Sequence, residues 1–155
     1  MTDVRVREAV RDDAATIIEF QLAMARETEE LTLDRDILTR GVNALFDNPS
    51  LGRYFVVESH DESSDRVVAS LMITYEWSDW RNGMVWWIQS VYTIPEFRRR
   101  GIYATLYAHI RAQVEDDPSI RGIRLYVDNR NVSAQQVYAK LGMEGEHYRV
   151  FEWMK

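Results

Sequence analysis

Hydrophobic and polar positions along the chain change period several times. Residues 4–8 alternate (Val4, Arg5, Val6, Arg7, Glu8), the period-two pattern of a short strand. Ala14, Ile17, Ile18, Gln21, Leu22 and Ala25 then recur at the i, i+3, i+4, i+7 spacing of one buried helix face, with Asp12 placed to cap its start. A polar stretch over residues 27–32 leads to a second cap, Asp34, and a helix bearing Ile37, Leu38, Val42 and Leu45, stopped near Asn48 and Pro49. Residues 54–58 and 67–75, rich in β-branched and aromatic side chains around a polar turn at 60–65, predict an antiparallel hairpin. After a turn signal at Asn82-Gly83, residues 84–93 form a nearly continuous apolar run, as in a strand buried in the middle of a sheet.

Pro95 ends that strand, and residues 101–115 place Ile102, Leu106, Ile110 and Val114 on one helix face. Residues 123–127 read as another short strand, so the strand, helix, strand order implies a right-handed parallel crossover. Asn131 caps a helix with Ala134, Val137, Tyr138 and Leu141 on its inner face, Gly142 suits the left-handed position that follows, and residues 147–154 make a last strand. The order β-α-α-β-β-β-α-β-α-β predicts a single three-layer α/β/α domain over residues 1–155 with a mixed, mostly antiparallel sheet.

Composition narrows the class. A chain of 155 residues with 46% apolar content builds one core. No run approaches the roughly 18–20 apolar residues of a membrane span. The start, with Asp3, Arg5 and Arg7, lacks the apolar stretch of a signal peptide, so a soluble cytoplasmic protein with no membrane partner is expected. With no cysteine there is no disulfide, thiolate zinc site or cysteine nucleophile, and His60, His109 and His147 stand too far apart for metal-ligand spacing. No metal is expected. A net charge of -6 with one arginine cluster also argues against a nucleic-acid partner. The charge is uneven: residues 1–80 hold 17 acids and 8 bases, residues 81–155 hold 8 acids and 11 bases. One half tolerates cations and the other tolerates anions.

The anion has a candidate seat. Pro95-Glu96-Phe97-Arg98-Arg99-Arg100-Gly101-Ile102-Tyr103-Ala104 runs from a central strand into a helix start, where unpaired N–H groups and the positive end of the helix dipole favour phosphate. Gly101 lets backbone approach a ligand without a Cβ, and three arginines add charge. Neither the nucleoside-triphosphate P-loop nor the G-x-G-x-x-G dinucleotide fingerprint is present.

Thirty residues on, Asn131, Ala134, Tyr138 and Gly142 follow the pattern Asn-x-x-Ala-x-x-x-Tyr-x-x-x-Gly, and Arg98 to Tyr103 follow Arg/Gln-x-x-Gly-x-Gly/Ala except at Tyr103. With this element order, the two motifs resemble the GNAT superfamily of acetyl-CoA-dependent N-acetyltransferases over essentially the whole chain. The resemblance implies acetyl-CoA as acetyl donor and a primary amine of a small molecule or peptide as acceptor, joined by direct attack in a ternary complex. It implies that backbone groups of Val91, Tyr92 and Thr93 receive the pantetheine arm, that Arg98, Arg99, Arg100, Gly101, Ile102, Tyr103 and Ala104 cradle the pyrophosphate, and that Asn131 and Ala134 border the cofactor. Tyr138 becomes the general acid that protonates the departing thiolate.

An alkylamine with pKa near 10.4 is neutral in only about one molecule in two thousand at pH 7, so a base or water chain is needed. Tyr75, Glu76, or a water held by Gln89 are the candidates. The segment from Tyr75 to Gly83 is similar to the matching part of diamine acetyltransferases, but Gln89 and Ser90 stand where those enzymes carry acids, which demotes a polyamine. Trp77, Trp80, Trp86 and Trp87 gather aromatic surface that suits core packing, a homodimer contact or an amine pocket. The rival reading is a non-catalytic acyl-CoA-binding sensor or interaction module, favoured by Tyr103 and opposed by Asn131 and Tyr138.

Overall fold

A computed structural model describes residues 3–60 and 65–155, so most of the turn expected at residues 60–65 lies outside the described residues. The chain divides into two units, Met1–Arg124 and Leu125–Lys155.

The first unit holds a sheet of β1 (Asp3–Glu8), β2 (Arg53–His60), β3 (Asp65–Ser78), β4 (Gly83–Thr93) and β5 (Ile120–Arg124), in that spatial order. The first four pair antiparallel and β5 joins β4 in parallel; the β2–β3 hairpin and the parallel crossover to β5 are as the patterning predicts. Helices α1 (Ala14–Glu29) and α2 (Arg35–Asp47) lie between β1 and β2 in sequence, and α3 (Ile102–Asp116) between β4 and β5. Period two along β2 assigns the faces. Tyr54 and Val56 pack with Ile17, Ile18 and Leu22 of α1 and Val42 of α2, whereas Phe55 sets its ring 5.7 Å from that of His109 on α3. Helices thus cover both faces, and Val56, Val57, Val68, Ala69, Leu71 and Ile73 are fully buried.

Asp34 caps α2 as expected, its Oδ1 accepting the N–H groups of Asp36 (2.9 Å) and Ile37 (3.0 Å). The start of α1 differs from expectation. Asp12 makes no cap; a 3-10 turn over Arg11–Asp13 precedes the helix, and Asp13 accepts the Val10 N–H at 2.8 Å. Arg7 explains the change, since it donates to both Asp13 oxygens (2.7 and 3.0 Å) and to Glu58 (2.8 Å), drawing Asp13 rather than Asp12 inward. Strand β5 begins and ends three residues before the predicted span. Its register is set by the turn before it, where Ile120 N–H reaches Asp117 O (3.0 Å) and Met84 N–H reaches Ser119 O (2.9 Å). Gly83 is required there: a Cβ would stand 2.3 Å from Arg121 Cγ and 2.8 Å from Ser119 O.

In the second unit α4 (Val132–Lys140) is capped by Asn131, whose Oδ1 accepts the Ala134 N–H at 3.0 Å. It stops at Gly142, which takes the expected left-handed conformation at φ +87°. The expected last strand is absent: residues 147–154 carry no regular structure, and Tyr148, Phe151 and Trp153 are exposed. Alternation marks which side chains suit a half-buried pleat, but a ladder of backbone bonds makes the strand, and this segment has none.

Candidate functional site

Strand β4 carries an irregularity where chemistry is expected. Ser70 pairs with Tyr92 and Met72 with Gln89, so Leu71 faces two residues, Ser90 and Val91: a bulge. Ser90 sits at φ +54°, a conformation that a non-glycine residue holds only when its surroundings impose it. Pairing of β4 with β5 covers only Met84 to Trp87, so from Ile88 through Val91, Tyr92 and Thr93 the β4 edge carries no β5 ladder. An open strand edge of this kind receives an extended ligand through backbone bonds. The side chain of Tyr92 is turned to the core, its ring 5.2 Å from Phe20 and its hydroxyl donating to Glu27 at 3.1 Å. What Tyr92 offers a ligand is therefore backbone.

A 3-10 turn at Pro95–Phe97 leads from β4 to the arginine run. Arg99 (φ +61°) and Gly101 (φ +74°) are both left-handed, and α3 begins at Ile102. Thr105 N–H reaches Gly101 O at 3.0 Å, so the N–H groups of Ile102, Tyr103 and Ala104 stand ahead of the helical ladder. A Cβ on Gly101 would meet nothing within 4 Å; the turn is open on that side.

The three arginines divide. Arg98 donates to Glu27 of α1 at 2.6 Å and to Thr93 O at 2.9 Å, and lies over the Tyr92 ring at 5.4 Å. Arg100 rests on the Phe97 ring at 4.9 Å, and among the described residues neither it nor Arg99 holds a carboxylate. Two of the three cations therefore remain available to an anion. Tyr103, bulky at a position of the phosphate-binding pattern, packs along the helix with its ring 6.3 Å from Tyr107.

The three candidate bases stay apart from the bulge or are engaged. Tyr75 and Glu76 pair with Trp86 and Val85, about 13 and 17 Å along β4 from Ser90. Tyr75 packs on Trp86, and the Glu76 carboxylate is ion-paired with Arg124. Gln89 donates to Thr74 Oγ1 at 2.5 Å, a cross-strand bond. Of the tryptophans around β4, Trp86 is buried under the Arg53 guanidinium (4.7 Å), whereas Trp77 and Trp80 are exposed at the β3–β4 hairpin. In the second unit Tyr138 is half-buried on α4, one turn beyond Ala134, and burial pushes its phenol above the ordinary value.

One feature of the site escaped the sequence reading. A cavity of about 450 Å³ lies between α1, α2 and the sheet, with Ser90 of the bulge on its wall. Gln21, 6% exposed, also lines it and donates to Ser90 O at 3.4 Å. A glutamine on the buried stripe of α1 was the available signal. At the floor, burial pushes the Tyr54 phenol up to about 12. Among the described residues no group of His, Cys, Asp or Glu side chains could hold a metal ion, and no helix is long and apolar enough to cross a membrane.

The sequence model of the acetyltransferase (GNAT) family matches residues 13–143. The crystal structure of a possible acetyltransferase from Clostridium difficile 630 is 43% identical to this chain, with a TM-score of 0.89 over 98% of this chain and 97% of that one. A predicted acetyltransferase from Clostridium acetobutylicum, crystallised with acetyl-CoA, is 18% identical at a TM-score of 0.73, covering 97% and 96%. Glucosamine-6-phosphate N-acetyltransferase from Arabidopsis thaliana is 15% identical at 0.72, covering 99% of each chain. These last two speak for the fold alone. No curated protein matches the chain.

Proposed function

Because the chain belongs to the GNAT acetyltransferase family, we propose that it moves an acetyl group from acetyl-CoA to a primary amine of a small molecule or peptide. The observation that carries this reading is the continuity of three features in one strand-turn-helix segment. They are the bulge at Ser90, the β4 edge free of β5, and the turn opening α3, in which Arg99 and Gly101 are left-handed. The residues fit a polyanionic donor: Gly101 leaves room beside the turn, the N–H groups of Ile102 to Ala104 precede the ladder, and Arg99 and Arg100 add positive charge.

Acetyl-CoA supplies the activated thioester. Val91, Tyr92 and Thr93 offer backbone groups to its pantetheine arm, and an N–H at this edge polarises the carbonyl. The acceptor nitrogen attacks the carbonyl carbon, the carbon–sulfur bond breaks, the extra proton on nitrogen leaves to water, and the sulfur takes a proton. Proximity of the two reactants contributes much of the rate. Arg98, clasped by Glu27, holds the turn against α1 rather than serving as a free phosphate ligand. Asn131 spends its Oδ1 on the α4 cap and keeps its amide N–H groups for the cofactor, beside Ala134. Tyr138 is the general acid: a phenol is protonated at neutral pH, the state that role needs, and burial raises this one further. The two units together act as one transferase domain, in line with a family match that runs through both.

Thiol release from acetyl-CoA against a panel of amines tests the reaction. Tyr138→Phe should lower kcat by about a hundredfold with acetyl-CoA affinity nearly unchanged. Unchanged turnover removes Tyr138 from the chemistry. Stoichiometric acetyl-CoA binding with no thiol release against any amine would instead establish a non-catalytic acyl-CoA module.

A further inference from the structure

The cavity beside the bulge names the kind of amine. Resting on the transferase reading above, we infer that it is the acceptor site and that its substrate is a primary amine carried on a compact apolar body, aliphatic or arylalkyl, rather than a polyamine or an amino sugar. Its volume, about 450 Å³, lies in the lower half of the range of small-molecule sites. Met24, Leu33, Leu38, Leu45 and Met72 supply the walls. Two of these are methionines, which repack around different apolar shapes. Glu29 is the one charged side chain on the lining, and it stands with Thr28 at the exposed C-terminal end of α1, about 12 Å along the helix from Gln21. A polyamine needs carboxylates along its length, and this wall carries one, Glu29; a sugar needs a polar partner for each hydroxyl, and between the Gln21 and Ser90 end and the Thr28 and Glu29 end the wall carries one polar side chain, Tyr54.

The inner end is where polarity concentrates. Gln21 donates to Ser90 O, which leaves its amide oxygen as an acceptor for an N–H of the incoming amine. At 3.4 Å that bond is long for an amide that is only 6% exposed, so a ligand N–H would complete an under-bonded group. Ser90 belongs both to this wall and to the bulge that opens the acyl-receiving edge. An amine held by Gln21 therefore sits against the strand that receives the thioester, with its apolar body directed along α1 toward the mouth.

The test compares kcat/KM for 2-phenylethylamine, n-hexylamine, spermidine and glucosamine with acetyl-CoA as donor, and measures the acetyl-CoA Kd in parallel. The two apolar amines should exceed the others by about a hundredfold. Gly41 lines the cavity and a Cβ there meets nothing within 4 Å, so Gly41→Phe adds a bulky ring at the cavity wall with no backbone clash at its Cβ. It should raise KM for both apolar amines at least about tenfold while Tm and the acetyl-CoA Kd hold. Gln21→Leu, close in volume, should lower kcat/KM about tenfold with the same Kd. A preference for spermidine or glucosamine, or an unmoved KM in Gly41→Phe, overturns the inference while normal acetyl-CoA binding leaves the transferase reading standing. Failure of the native chain to bind acetyl-CoA overturns both.

Discussion

Arginine does different work at the β1–β2 edge and in the turn ahead of α3. Arg7 spends its fork on Asp13 and Glu58, both of which are largely shielded, and in doing so ties β1, β2 and the entry to α1 together. Arg99 and Arg100 are exposed and hold no carboxylate among the described residues; Arg99 and the following Gly101 stand on left-handed backbone, beside N–H groups ahead of the α3 ladder. Arg98 lies between the two cases, exposed but clasped to Glu27. A run of three adjacent arginines is thus one strut and two exposed cations that hold no carboxylate among the described residues. The difference follows from what each guanidinium faces, which composition alone does not reveal.

The largest expected effect is on the Arg7 side. Asp13→Ala leaves the shielded guanidinium partly unpaired and should cost about 3 kcal/mol of stability, read as a lower denaturant midpoint, with the acetyl-CoA Kd unchanged in the folded fraction. Arg99→Ala combined with Arg100→Ala should do the reverse, holding Tm while weakening acetyl-CoA by about 2 kcal/mol, or roughly thirtyfold, in low salt. A loss of stability in the double variant would erase the distinction between the two regions. Gly101→Ala falls between them: no atom opposes the new Cβ, so the cost is left-handed strain of about 1 kcal/mol, plus a methyl placed in the donor's path.

The pH dependence separates the regions with the smallest effect. Burial alone would raise the Asp13 carboxyl, but the bonds from Arg7 and from the Val10 N–H, with the Arg7 charge, outweigh it and hold it below its ordinary 3.8. A carboxyl depressed in the folded state contributes stability that is complete above 3.8 and is lost as pH falls below it. Acid titration of stability should show this loss in the native chain and a flatter curve in Asp13→Ala. The Arg99 and Arg100 double variant should titrate like the native chain.

Much of this was legible in the sequence because local chemistry dictated it. Asp34 and Asn131 cap their helices, Gly142 takes the left-handed turn, and the hairpin of β2 and β3 followed by the continuous apolar run of β4 reads as an antiparallel meander that β5 joins in parallel. What the sequence hid depends on partners far along the chain. Asp13 displaced Asp12 because Arg7 reaches it from β1, and Arg98 found Glu27 across 71 positions. The bulge at Ser90 had no sequence sign, since serine has no special preference for that backbone and the pairing with β3 imposes it. Gln21 was placed on a buried stripe, yet only the cavity beside it gives that glutamine a task. The last strand failed for the opposite reason: residues 147–154 have the side chains of a strand without the ladder.

The most direct measurement is the thermal stabilisation of the native chain by acetyl-CoA at a hundred times its Kd, repeated in the Arg99→Ala, Arg100→Ala double variant at the same concentration. The native chain should gain about 2.7 kcal/mol and the double variant should lose most of that gain, with the unliganded Tm of the two alike. No stabilisation of the native chain, or an equal gain in both, would contradict this.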